Sequence, residues 1–245
     1  MRHKMAMTKN VKRFLAAVRD LQNRSLGTEG MGLLWGLPGE GKSTTIAYAV
    51  NMLDGVFMRA NTCWSVTSML SDIMTELGLS PMYRKSPMIK AIVEKLMLRP
   101  RPVFIDESDY LFRQAEMVDV LRDIYDLTGS PVILIGMEEM ARKIQTRGKF
   151  ARRITQWIEF AGIDAADART LADTVCEVNI SDGLLEFVRS EANANIGRMT
   201  TAMSKIESFG RTNQLISVTR SDWGDRTLFY DQPNFKGRLR NRNGR

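Results

Sequence analysis

The stretch with the clearest chemical meaning is residues 36–43, GLPGEGKS. Gly36, Gly41, Lys42 and Ser43 occupy the fixed positions of the pattern G-x-x-x-x-G-K-[ST], with Pro38, Gly39 and Glu40 inside it and Thr44 following. Glycines let the backbone turn tightly and aim successive N–H groups inward, which makes a cradle for phosphate oxygens. A helix that starts at the end of the loop adds its N-terminal dipole. Lys42 then brings a cation to the β- and γ-phosphates, and Ser43 supplies an oxygen of the kind Mg2+ prefers. A second signal lies at 103–107, where Val103, Phe104 and Ile105 deliver Asp106 and Glu107. Asp106 is placed to hold magnesium through water. Glu107 is placed to polarise an attacking water for in-line displacement at the γ-phosphate. The expected ligands are ATP and Mg2+.

These groups must be held by elements that the sequence also marks. Apolar runs at 31–35, 55–60, 103–105, 131–135 and 154–160 read as strands. Helical spacing recurs between them at 10–22, 43–53, 64–77, 88–98, 116–127 and 138–146, with Gly78 and Gly129 as stops. Pro81 and Pro87 bracket MYRKS, which reads as an exposed loop. Alternating strands and helices imply a parallel sheet, and the acids at the end of 103–105 sit at the edge where such sheets bind ligands. From residue 164 the pattern changes to helices at 164–175, 181–192 and 197–209, with almost no strand signal. The expected division is a basic N-terminal helix (1–25), a phosphate-binding core (26–162), a helical lid (163–230) and a basic, disordered tail (231–245).

Composition narrows the classes. The 245 residues are 44% hydrophobic and 26% charged, which is ordinary for a globular chain. The cysteines are Cys63 and Cys176 and the one histidine is His3, so neither a Cys/His metal cage nor a histidine triad is expected. Both cysteines are expected to be buried and reduced, as in a cytoplasm. No run of apolar residues is long enough to span a membrane. The net charge of +7 is concentrated at the two ends, at Arg2, Lys4, Lys9, Lys12, Arg13, Arg19 and Arg24 and again at Lys236, Arg238, Arg240, Arg242 and Arg245. Such ends suit a polyanion or act as solubilising tails.

The phosphate loop and the acidic strand end together resemble the AAA+ branch of P-loop ATPases, and the resemblance runs on through the lid. It implies an α/β fold: a P-loop NTPase three-layer parallel sheet with a small C-terminal all-helical lid. It also implies ATP hydrolysis and self-association into a ring or helical oligomer. The family carries a polar sensor at the end of the strand written here 132–135, but Gly136 and Met137 follow instead of Asn, Thr or Ser. It carries an arginine finger that reaches a neighbour's nucleotide, best matched by Arg152 or Arg153, and a second sensor arginine that opens a lid helix, best matched by Arg198.

Within that branch the chain is similar to DNA-transposition ATPases, the group of the phage Mu B protein, the Tn-type target selectors and the IstB-type helpers. The similarity rests on the compact module, on residues 127–136 (LTGSPVILIG) and on residues 149–160 with their paired arginines and Trp157. It implies partners: duplex DNA, bound through phosphates with little sequence preference, and a transposase. Candidates for DNA contact are Arg84 and Lys85 in the 81–87 loop and Arg59 at the end of the second strand. A different reading stays open, that of a loader or remodeller whose target is a protein such as a replicative helicase.

Overall fold

Strands that are apolar on both faces need cover on both sides. The computed structural model, which describes residues 1–25 and 27–229, shows how they get it. β1 (Met31–Gly36), β2 (Val56–Arg59), β3 (Val103–Asp106), β4 (Val132–Gly136) and β5 (Ile154–Phe160) form a five-stranded sheet in the order β2-β3-β4-β1-β5. Every pairing in it is parallel, with Phe104 opposite Ile133 and Leu33 opposite Leu134. Alternate side chains point to opposite faces. Val103, Ile105, Val132 and Leu134 pack in one core with α3 (Val66–Glu76), α4 (Lys85–Leu98), α5 (Ala115–Thr128) and α6 (Glu138–Gln145). Phe104, Ile133 and Ile135 turn the other way, onto α1 (Lys9–Gln22) and α2 (Lys42–Leu53). Phe14 of α1 lies 6.3 Å from the Phe104 ring and 6.2 Å from Phe160, edge-on to the latter.

This three-layer arrangement brings the carboxyl ends of β1, β3 and β4, and so Gly36, Asp106 and Gly136, to one edge of the sheet. The one-turn α7 (Gly148–Ala151) packs its Phe150 into the first of these cores, and the helices that follow β5 build a separate cluster. α8 (Ala165–Val175), α9 (Asp182–Glu191) and α10 (Ile196–Thr212) enclose Leu184, Val188, Met199, Met203 and Ile206, all fully buried. Asp164, Ser181 and Asn195 cap these three helices through their side chains.

The structure corrects several expectations. α4 begins at Lys85, inside the bracketed loop, because Pro87 sits in its first turn, where a missing N–H costs nothing. The helical region also holds a short parallel pair, β6 (Asn179–Ile180) and β7 (Ser217–Val218), too brief to leave a pattern in the sequence. Cys176 is buried, and its thiol is pushed up to about 11, chiefly by that burial, whereas Cys63 is exposed. The basic N-terminal segment is partly committed to internal contacts. Lys9 pairs with Asp164, Arg13 donates to the Glu159 carbonyl, and Arg24 donates to the carbonyls of Leu21, Thr28 and Gly129. Among the described residues, no helix is long and apolar enough to cross a membrane. The proposed tail at 231–245 lies outside the described residues.

Candidate active site

The loop at 36–43 leaves β1 and enters α2 with two residues in the left-handed region, Gly39 at φ 82° and Gly41 at φ 81°. A side chain at Gly36 would also stand 2.3 Å from the Phe160 carbonyl oxygen, so glycine is required there for close approach. Lys42 Nζ donates to the carbonyls of Gly36, at 2.6 Å, and Leu37, at 2.8 Å. Burial pushes its ammonium pKa down, and the carboxylates of Asp106, Glu40, Glu107 and Asp109 oppose that shift. Thr45 stabilises the first turn by donating to the Gly41 carbonyl at 2.9 Å, and Thr44 lines the adjoining cavity.

Ser43 Oγ donates to Asp106 Oδ2 at 3.2 Å, and Asp106 is only 5% exposed. A hydroxyl and a carboxylate converging at the mouth of a phosphate cradle form the hard-oxygen donor set that suits Mg2+. Asp106 Oδ1 accepts the Glu107 amide at 2.9 Å. Glu107 itself adopts a left-handed backbone, φ 54°, which turns its side chain away from the strand line. Its Oε1 accepts from Arg59 Nη2 at 3.1 Å, an ion pair that follows from the strand register, since Arg59 of β2 is directly opposite Asp106 of β3.

A carboxylate that the sequence reading passed over lies beside this group. Asp109, in the 3-10 helix Ser108–Arg113, accepts the Met137 amide at 3.0 Å. Burial raises its pKa, and the nearby Glu107 carboxylate adds to the rise. A side chain at Gly136 would fall 2.4 Å from Asp109 Oδ2, so glycine ends β4 because Asp109 occupies that space. The signal was the acid two residues beyond Glu107, legible only as spacing.

The cavity over the loop has a volume of about 820 Å3. Its floor is the loop itself, and Tyr48 and Phe160 form part of its wall. Leu171, Val175 and Thr200 of the helical region line it as well, together with residues 2–6 of the N-terminal segment. That segment is held by the Arg2 amide, which donates to the Val175 carbonyl at 2.7 Å. No local pattern marked it as a cavity wall; from sequence it read as part of a solvated basic end.

A family model described as AAA domain matches residues 22–144, half of the chain and the span that carries the phosphate loop and both acids. The chain belongs to the AAA domain family. Members are ATP-hydrolysing enzymes. No curated protein matches the sequence. Solved structures share the fold of this AAA domain protein. The Orc2 protein of Aeropyrum pernix, solved as ADPNP–ADP complexes, has a TM-score of 0.69 at 16% identity, over 90% of this chain and 68% of that one. Cdc6p from Pyrobaculum aerophilum gives 0.64 at 12% identity, over 87% and 64%. The Orc1 protein of Aeropyrum pernix, in complex with DNA, gives 0.59 at 14% identity, over 87% and 62%. The chain thus spans less than two thirds of the Cdc6p and Orc1 chains.

The arginines expected of an AAA domain are divided by their surroundings. Arg153 is 8% exposed; its guanidinium grips Asp126 through Nε at 2.7 Å and through Nη2, and it also donates to the Lys149 carbonyl. It ties the start of β5 to the end of α5, and with three of its five donors held within the chain it is less suited than Arg152 to reach a neighbouring molecule. Arg152, next to it, is exposed and has no side-chain partner among the described residues. Arg153→Ala is expected to cost about 2 kcal/mol, the worth of a charged hydrogen-bonded pair. At ~2–4 °C per kcal/mol, a melting curve should then fall by roughly 4–8 °C. Arg152→Ala should leave the curve in place.

Arg198 also departs from expectation. It lies over the Phe229 ring at 4.3 Å and donates to the Glu191 carbonyl at 3.4 Å, and it does not line the cavity. The residues of α10 that meet the phosphate loop are instead Asn195, Ile196 and Gly197. Of the DNA candidates, Arg84 is exposed at the start of α4, Lys85 pairs with the exposed Glu116 at 2.7 Å, and Arg59 is the partner of Glu107.

Proposed function

We propose that this AAA domain protein is an ATP hydrolase that binds duplex DNA with little sequence preference and couples that binding to turnover. Its role is to assemble on target DNA, as a ring or helical oligomer, and to assist a transposase in choosing and activating the target. The observation that carries the reading is the 3.1 Å pair between Arg59 and Glu107. It joins a cation suited to a DNA phosphate directly to the carboxylate suited to activate water.

The mechanism follows from the groups in place. Loop amides and Lys42 bind and orient the triphosphate. Ser43 and Asp106 would hold Mg2+, which when bound neutralises charge on the phosphate oxygens. Glu107 accepts a proton from the attacking water. While Glu107 faces Arg59 it is turned toward the guanidinium; a DNA phosphate that takes Arg59 frees it. The exposed Arg152 is the candidate to complete a neighbour's site in the oligomer.

Exposed ion pairs are worth ~0.2–1 kcal/mol, so releasing Glu107 should raise the rate by up to about fivefold. Arg59→Ala is accordingly expected to raise DNA-free ATP turnover by a factor of about 1.4 to 5 and to abolish further stimulation by duplex. Steady-state phosphate release with and without DNA checks this. An Arg59→Ala protein with parental basal rate and full DNA stimulation would remove the coupling.

The likeness in fold to Cdc6 and Orc proteins, one of them solved with DNA, supports a second reading. In it the DNA-bound oligomer loads or remodels a protein partner such as a replicative helicase. The two differ in the partner retained on ATP-loaded DNA, a transposase or a helicase.

A further inference from the structure

The contact between the helical region and the phosphate loop is built from donors on one side and carbonyls on the other. Asn195 Nδ2 donates to the Pro38 carbonyl at 2.9 Å and approaches Glu40 Oε1 at 3.4 Å. The Gly197 amide donates to the Gly39 carbonyl at 2.8 Å. The approach is too close for side chains: one at Gly39 would fall 2.7 Å from Asn195 Oδ1, and one at Gly197 would fall 3.1 Å from the Gly39 oxygen. Asn195 is presented by two successive residues with left-handed backbones, Asn193 at φ 52° and Ala194 at φ 56°. Neither is glycine, so the turn holds a conformation that costs free energy and that the surrounding contacts must sustain. The same side chain caps α10, its Oδ1 accepting the Arg198 amide at 3.0 Å.

In a trans peptide the C=O and the N–H of one unit point in opposite directions. Fixing the Pro38 and Gly39 carbonyls outward, against the helical region, therefore fixes the Gly39 and Glu40 amides inward, where phosphate oxygens bind. Glu40 is the third member of the contact. It is 5% exposed, and its Oε2 has no hydrogen-bond partner.

We infer that Asn195, with the Gly197 amide, is a positioning residue that sets the phosphate cradle, so that lid seating and nucleotide affinity are one equilibrium. The coupling acts on phosphates common to ADP and ATP. It differs in this from a lid arginine that reads the γ-phosphate, a task for which Arg198 is turned away. The inference rests on the loop being the nucleotide site.

Calorimetry with Mg-ADP and with a non-hydrolysable Mg-ATP analogue tests it on the full chain. Asn195→Asp keeps an oxygen to cap α10 but sets a carboxylate against the Pro38 carbonyl and Glu40. Asn195→Ser keeps a cap and cannot reach the loop, which provides a second, uncharged variant should the first fold poorly. Both variants are expected to weaken ADP and the ATP analogue by the same factor, about tenfold, as for a lost hydrogen bond at a charged site. The double variant Glu40→Gln/Asn195→Asp reverses donor and acceptor across the contact and should recover part of the loss. A merely structural cap would shift the melting curve and leave both affinities alone. Unchanged affinities in both single variants, or a loss confined to the ATP analogue, would overturn the inference. The parent's own isotherm is the separate check on the nucleotide site: no heat with either nucleotide would count against that reading, whereas the ratio of variant to parent judges Asn195.

Discussion

Lys42→Ala is expected to remove measurable binding of ATP and ADP while the protein stays folded. The reason lies in the company Lys42 keeps. Four carboxylates, those of Asp106, Glu40, Glu107 and Asp109, act on its ammonium group. Without the lysine, a triphosphate would meet these four carboxylates with no loop ammonium to offset them. Two charged hydrogen bonds lost at ~1.5–3 kcal/mol each already amount to a factor above about a hundred in affinity. Removing Lys42 breaks only bonds to the carbonyls of Gly36 and Leu37, so the melting temperature should move little. Calorimetric titration with Mg-ATP alongside a melting curve separates the two effects. Retained binding in a folded Lys42→Ala protein would mean that the loop is not the phosphate site.

Glu107→Gln is expected to leave ATP affinity near the parental value and to lower turnover by about 10^2–10^4, the usual contribution of a positioned general base. The substitution keeps size and a hydrogen-bonding oxygen, and it removes the negative charge and with it the ability to take a proton. It also weakens the hold of Arg59, since a charged pair becomes a neutral contact. The variant should therefore stay on DNA in its ATP-bound form, because Arg59 is freer to meet phosphate and hydrolysis no longer releases the complex. Single-turnover hydrolysis, combined with DNA retention on a filter or by anisotropy, reads both consequences. Parental turnover would reassign the base, and Asp109, whose carboxylate packs against the end of β4, would be the next group to replace.

The parts of this picture legible from sequence share one physical trait, in that their meaning is local. The cradle residues are fixed by backbone geometry within eight positions. Asp106 and Glu107 are announced by the buried strand that precedes them, which is apolar on both faces because helices cover both. The parts that were not legible depend on what the chain brings together from far away. Arg153 looks like Arg152 in sequence, and only Asp126 on α5 makes it a structural tie. Asn195 reads as one more polar residue before a helix, and its second role appears only when the Pro38 and Gly39 carbonyls stand opposite it. Residues 2–6 read as a charged end, and they become a cavity wall because the Val175 carbonyl captures the Arg2 amide. Pro87 misled in the other direction, since a proline both breaks helices and begins them, and position alone decides which.

Phosphate release by the full chain, measured with and without duplex DNA across a salt series, bears most directly on the proposed coupling of turnover to DNA. Turnover should rise when duplex is added, and the DNA concentration needed for half of that rise should climb steeply with salt. If Arg59, Arg84 and Lys85 each meet one phosphate, as the proposal has it, the log–log slope in affinity should be roughly −3. An ATPase rate indifferent to duplex DNA at low salt, in protein that binds nucleotide normally, would contradict it.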